Sequence, residues 1–135
     1  MGAAHDLQAA IVAALRGDAE LVALLGDAGR ITDRVPPDRA FPFVAIGRTA
    51  VSDWSTDDSA GEEHLVTLRC WSRATGRAEL LAVAERVTAA LSGLSGIHGG
   101  TRIVSLLPVS AEHGFEAADR AWRAVLRFRA LTEPA

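Results

Sequence analysis

Two alternating segments joined by a polar loop constrain this chain more than anything else in it. Residues 43–51 are rich in apolar and β-branched side chains and are entered through Pro42, while residues 63–71 alternate with period two. On the second segment Val66, Leu68 and Cys70 share one face, and Leu65, Thr67, Arg69 and Trp71 share the other. Ser, Asp and Gly dominate the loop over 52–61. This pattern predicts a long antiparallel β-hairpin with an acidic, Trp-bearing tip.

The remaining periodicities predict what surrounds the hairpin. Leu7, Ala10, Ile11, Ala14 and Leu15 recur at helical spacing, so a helix is expected over 6–16, capped by His5 or Asp6 and broken at Gly17. Asp18 is the expected cap of a second, short helix ending at Leu25, with Gly26 supplying its left-handed terminus. An extended piece over 30–35 should stop at Pro36-Pro37. Thr75 or Ser72 opens a main helix to about Leu91, whose buried stripe is Leu80, Leu81, Ala84, Val87 and Leu91. Residues 96–100 read as a loop, 101–110 as a strand and 111–120 as a polar connection. A last strand over 121–132 turns Trp122, Ala124, Leu126, Phe128 and Ala130 inward and Arg123, Arg127 and Arg129 outward. The expectation is a single α+β domain over 1–135: a mostly antiparallel sheet of about four to five strands, with helices on one face and the other face open.

With 135 residues the chain can bury a core without disulfides or metals, and its 49% apolar content argues against disorder. The net charge of −3 is mild, but its distribution is uneven. Between Arg48 and Arg69 there is no Lys or Arg, against five acids: Asp53, Asp57, Asp58, Glu62 and Glu63. Near the C-terminus the sign reverses, with Arg120, Arg123, Arg127 and Arg129 close together and no acid among them. Segregation of this kind suits either a surface that meets a complementary one or two solvated faces. All 14 basic residues are Arg, so a Schiff-base or phosphate-loop lysine is excluded.

Catalytic and metal-binding patterns are lacking. His5, His64, His98 and His113 stand apart, and only Glu62 and His64 could share a ligand from one strand face. Cys70 lies mid-strand beside apolar neighbours, where a buried thiol is expected rather than a nucleophile. No G-x-S-x-G elbow occurs, and His98-Gly99-Gly100 lacks the strand–turn–helix context of a phosphate loop. Neither a membrane-spanning run nor a signal peptide is visible, so the chain is expected to be cytoplasmic when synthesised. No enzyme activity and no cofactor are expected. Arg123, Arg127 and Arg129 could contact phosphates, but no aromatics interleave with them to stack bases. Arginine pairing with acids, on the same sheet or on a neighbour, fits better. Trp54 either folds back over its own hairpin or anchors an interface.

The order of several short motifs resembles one family. These are Leu7 to Ile11, Asp33-Arg34-Val35-Pro36, Phe41 to Gly47, Asp53-Trp54-Ser55-Thr56, the strand from Glu63 to Trp71-Ser72-Arg73, Gly76-Arg77-Ala78-Glu79 and the closing Arg127 to Thr132. Together they are similar to the tail-completion, or tail terminator, proteins of long-tailed phages, prophages and gene transfer agents. The resemblance implies a homo-hexameric ring that caps the tail tube, joins the tail to the head–tail connector and lets double-stranded DNA pass without sequence-specific contact. It implies a virion location after assembly, no membrane partner, no catalytic residues and no cofactor. Under it, Asp53, Trp54, Asp57, Asp58, Glu62 and Glu63 form a loop facing the lumen or a partner. Arg69, Trp71, Arg123, Arg127 and Arg129 become candidates for subunit or partner contact. A stopper ring of the same neck, or a non-viral binding module using the open sheet face, are the competing readings.

Overall fold

The computed structural model describes residues 2–34 and 40–135. Helix α1 spans Ala3–Arg16 and so begins three residues before the predicted start. The extra turn comes from Ala3 and Ala4, strong helix formers, with Gly2 at the cap position and its carbonyl accepting from the Asp6 amide at 3.1 Å. Helix α2, Ala19–Leu25, follows the sequence reading closely. Asp18 accepts from the Leu21 amide at 2.9 Å, and Gly26 closes the helix at φ 91°, with its N–H on the Val22 carbonyl. A single 3-10 turn, Ala28–Arg30, leads into the short strand β1, Ile31–Thr32. The expected stop at Pro36-Pro37 lies outside the described residues.

The hairpin consists of β2, Phe43–Asp53, and β3, Glu62–Ser72, in antiparallel register from Phe43 opposite Trp71 to Asp53 opposite Glu62. Helix α3 covers Ala78–Leu91, starting later than expected. Ser72 is spent on the approach to the helix: its hydroxyl donates to Glu79 at 2.7 Å and accepts from the Ala74 amide at 3.2 Å. The buried stripe of α3 is Leu80, Val83, Ala84, Val87 and Leu91, while Leu81 is 40% exposed. One residue on from Leu80 is about 100° further round the helix, which carries Leu81 off the stripe.

Three strands complete the sheet: β4, Gly96–His98; β5, Thr101–Glu116; and β6, Ala121–Pro134. Among the described residues the sheet therefore has six strands rather than four or five, in the order β1-β2-β3-β6-β5-β4. Only the β1–β2 pair is parallel. Two sequence expectations fail here. The loop at 96–100 is partly β4, a three-residue strand that turns through Gly99 at φ 61° to pair with the start of β5. The polar connection at 111–120 is mostly strand, since residues 111–116 ladder with 121–126 and only 117–120 form the turn. That segment looks polar because both of its faces meet water, so its pairing leaves no apolar alternation to read.

All three helices lie on one face. Leu7, Ile11 and Leu15 of α1, Leu21 and Leu25 of α2, and the α3 stripe pack on Val44, Ile46, Val66, Leu68, Cys70, Leu126 and Phe128. Each fully buried Leu or Phe contributes roughly 1.5–3 kcal/mol. Helix α1 crosses nearly the whole sheet. At its start the Asp6 carboxylate accepts from the Thr101 hydroxyl of β5 at 2.7 Å, and at its end the Arg16 guanidinium donates to the Ile31 carbonyl of β1 at 2.7 Å. A helix of that length runs about 21 Å, close to the roughly 19 Å separating five adjacent strands. The opposite sheet face carries a small apolar cluster of its own, Phe43, Ala45, Trp71 and Ala121, with Phe41 against it.

Candidate interaction surfaces

The tip of the β2–β3 hairpin is an ordered structure. The Trp54 amide donates to the Gly61 carbonyl at 2.8 Å, and the Thr56 amide to the Ser59 carbonyl at 2.8 Å. Ser55 ties the centre, its hydroxyl donating to the Asp53 carboxylate at 2.6 Å and accepting from the Gly61 amide at 3.0 Å. Gly61 is buried because the Trp54 indole lies over it. A Cβ at Gly61 would sit 3.1 Å from the Trp54 carbonyl oxygen and 3.3 Å from the ring carbon Cε3. Trp54 nevertheless keeps 48% of its surface exposed. It covers its own hairpin with one side and leaves the other side exposed.

The five tip acids do not behave alike. Glu63 is engaged, with its carboxylate 2.5 Å from Nε of Arg129 on β6. Among the described residues none of Asp53, Asp57, Asp58 and Glu62 pairs with an arginine. Four exposed carboxylates without an arginine in ion-pair contact give this end of the sheet a negative field.

The arginines of β6 have partners on the same sheet. Arg123 reaches Glu116 of β5 at 2.9 Å, Arg127 approaches Glu112 at 3.7 Å, and Arg129 holds Glu63 across the β3 ladder. At the far end of β6, Glu133 meets Arg102 of β5 at 3.4 Å. The first three are diagonal cross-strand pairs and Arg102–Glu133 is directly opposed, each worth up to about 1 kcal/mol at the surface. Arg69 lies across Gly47 of β2, where the missing side chain makes room for its guanidinium. Trp71 faces the open side as expected but is only 6% exposed. Its ring stacks on Phe43 at 6.1 Å, and the Arg123 guanidinium sits 5.6 Å from its centroid. A covered indole offers a partner little new area.

The sequence reading missed a set of arginine–aromatic contacts, split between the two sheet faces, at the end of the sheet opposite the hairpin tip. Arg73 lies 4.2 Å over Phe41, Arg77 lies 5.0 Å over Trp122, and Phe115 meets Trp122 edge-on at 5.3 Å. The Arg73 guanidinium also donates to the Asp119 carbonyl at 2.8 Å. Its members come from four separate segments, and the only local hint is the recurrence of Arg beside Trp at 71–73 and 122–123. The domain thus has an acidic end and an arginine–aromatic end, separated by the length of the strands.

Two further titratable groups are buried in the sheet. Cys70 is fully buried, and burial pushes its thiol up to about 12. His64 is buried with Nε2 2.9 Å from the Thr132 hydroxyl and Nδ1 without a hydrogen bond; burial lowers its pKa, outweighing the opposing effect of Glu62. Among the described residues, no three His, Cys, Asp or Glu side chains are placed to hold a metal. No helix among them is long and apolar enough to cross a membrane.

Comparison with known proteins gives two findings. The profile of the family described as tail completion protein gp17 matches residues 9–133. A chain in the solved structure titled "Virion of native gene transfer agent (GTA) particle" superposes with a TM-score of 0.87 at 34% sequence identity, covering 96% of each chain. No curated protein matches.

Proposed function

The chain belongs to the tail completion protein gp17 family, and on that footing we propose that it caps a tail tube as a six-membered ring and joins the tail to the head connector. In this reading it is a structural component of a virion, DNA passes through the ring, and no chemistry is performed. The observation that carries the proposal is the likeness to a virion chain over 96% of both lengths at 34% identity. The charge layout supports it. A ring needs one patch to meet a different patch on the next copy, and this domain has two unlike ends.

The hairpin tip is the docking element in this scheme. A loop whose only task was to repel DNA phosphates would need its acids but not a half-exposed indole held by an internal hydrogen-bond network. Trp54 is the anchor, and Asp53, Asp57, Asp58 and Glu62 surround it as a charged rim that selects a basic counterpart.

Electron microscopy of particles made with and without the protein tests the role. Tails of uncontrolled length, or tails without heads, are expected in its absence, and normal joined particles would refute it. The triple variant Asp53→Asn, Asp57→Asn, Asp58→Asn tests the docking assignment. Lost joining with the protein still folded is expected; normal joining with slowed DNA passage would place the loop at the lumen instead.

A further inference from the structure

The sheet has two unfilled edges, and they match. On β2 the short strand β1 pairs only with Val44 and Ala45, so among the described residues no strand lies beyond 46–53. On β5, β4 pairs only with 101–103, which leaves 104–116 without an outer neighbour among the described residues. Exposed backbone edges of this length are templates for another strand. These edges also keep exposed apolar side chains, Val51 at 44% on one and Phe115 at 54% on the other.

Strand direction makes the two edges complementary. Neighbours run antiparallel from β2 through β3 and β6 to β5, so β2 and β5 point in opposite directions. A copy rotated about an axis roughly along the strands sets its β2 antiparallel to the first copy's β5, continuing the alternation already in the sheet. Pairing of unlike edges is heterologous and repeats, and a fixed rotation closes it.

The register is constrained as well. Through the ladders, Val44 and Ala45 are level with His113 and Glu112 of β5. Joining without a slide would drive the neighbour's 112–113 into β1. Sliding the neighbour toward the hairpin tip by about six residues, roughly 20 Å, removes that overlap. It sets 110–116 beside 47–53. The slide also takes Pro108, which has no amide to donate, and the register shift between Pro108 and Ser110 out of the paired window. A closed barrel requires a stagger of this kind.

We propose that successive copies of this chain join by backbone pairing of residues 47–53 of one copy with residues 110–116 of the next. This deepens the ring reading above and rests on it. The helices then form the outer wall, and the charged open face of the sheet turns toward the passage.

Hydrogen exchange of the full-length protein, as monomer and as assembled ring, tests the pairing. Amides in 47–53 and 110–116 are expected to exchange at least about tenfold more slowly in the ring. Val51→Lys is expected to hold the protein in monomeric form on sedimentation with unchanged circular dichroism. Leu65→Lys, at a position 46% exposed in the middle of the sheet, is expected to assemble normally. Rings in which both segments exchange at the monomer rate, or assembly of the Val51→Lys variant at wild-type concentration, would overturn the pairing while leaving the capping role intact. A protein that stays monomeric even on tail tubes would overturn it too. Particles that join normally without the protein would instead remove the role on which it rests.

Discussion

Trp54→Ala separates the two faces of the indole. The residue keeps 48% of its surface exposed, and a Trp presents up to about 250 Å², so roughly 120 Å² is left for a partner to cover. At about 25 cal/mol per Å² that area is worth ~3 kcal/mol, or about 150-fold in affinity for each contacting copy. The free protein is expected to lose less, because the inner face lies over Gly61 at the hairpin end, and truncation at a solvent-facing tip leaves no sealed cavity. The assay is titration of tail tubes with wild-type and variant protein, scored by co-sedimentation, beside thermal unfolding of the free protein. Expected is a large loss of tube capping with a fall in Tm of a few degrees, and partial recovery in Trp54→Phe. Unchanged capping with a lowered Tm would show that the indole serves only its own hairpin, and the docking assignment would fall.

Other expectations follow from single contacts. Asp18→Ala removes the cap on the Leu21 amide and the 3.1 Å pair with Arg86; calorimetry should show a loss of about 1–2 kcal/mol, a fall in Tm of roughly 3–7 °C. His64 has its pKa lowered by burial, so the unfolded chain takes up a proton that the folded chain refuses. The urea midpoint should therefore fall as pH drops below the ordinary histidine value of about 6.5, and a flat midpoint from pH 7.5 to 5.5 would contradict its burial. Asp6, whose pKa is lowered chiefly by the Thr101 hydroxyl, adds a loss at more acid pH, which Thr101→Val should reduce. Cys70, with its thiol pushed up to about 12 and no exposed surface, should react with a thiol reagent only at the rate of unfolding. Rapid labelling of the native protein would contradict its place in the core.

Much of this fold was legible because its signals are local. The hairpin, the Asp18 cap, the Gly26 terminus and the inward face of β6 each follow from residues within one turn or one strand of each other. What sequence reasoning missed depends on partners far along the chain. The outer half of β5 is strand because β6 supplies its hydrogen bonds, and β4 exists only by pairing with β5. The surfaces were legible in the same measure. The acidic run around Trp54 was visible as a run. That Glu63 is neutralised by Arg129, and that Trp71 is sealed between Phe43 and Arg123, depended on which strands stand side by side.

Helix α1 is fastened at two points four strand spacings apart, through Asp6 to Thr101 of β5 at one end and Arg16 to Ile31 of β1 at the other. A stiff crossbar bolted at two points sets how far the strands beneath it can bow, as a stave keeps its camber. In the ring proposed above, units of constant camber would subtend a constant angle, so the width of the bore would be written into each one before it meets its fellows.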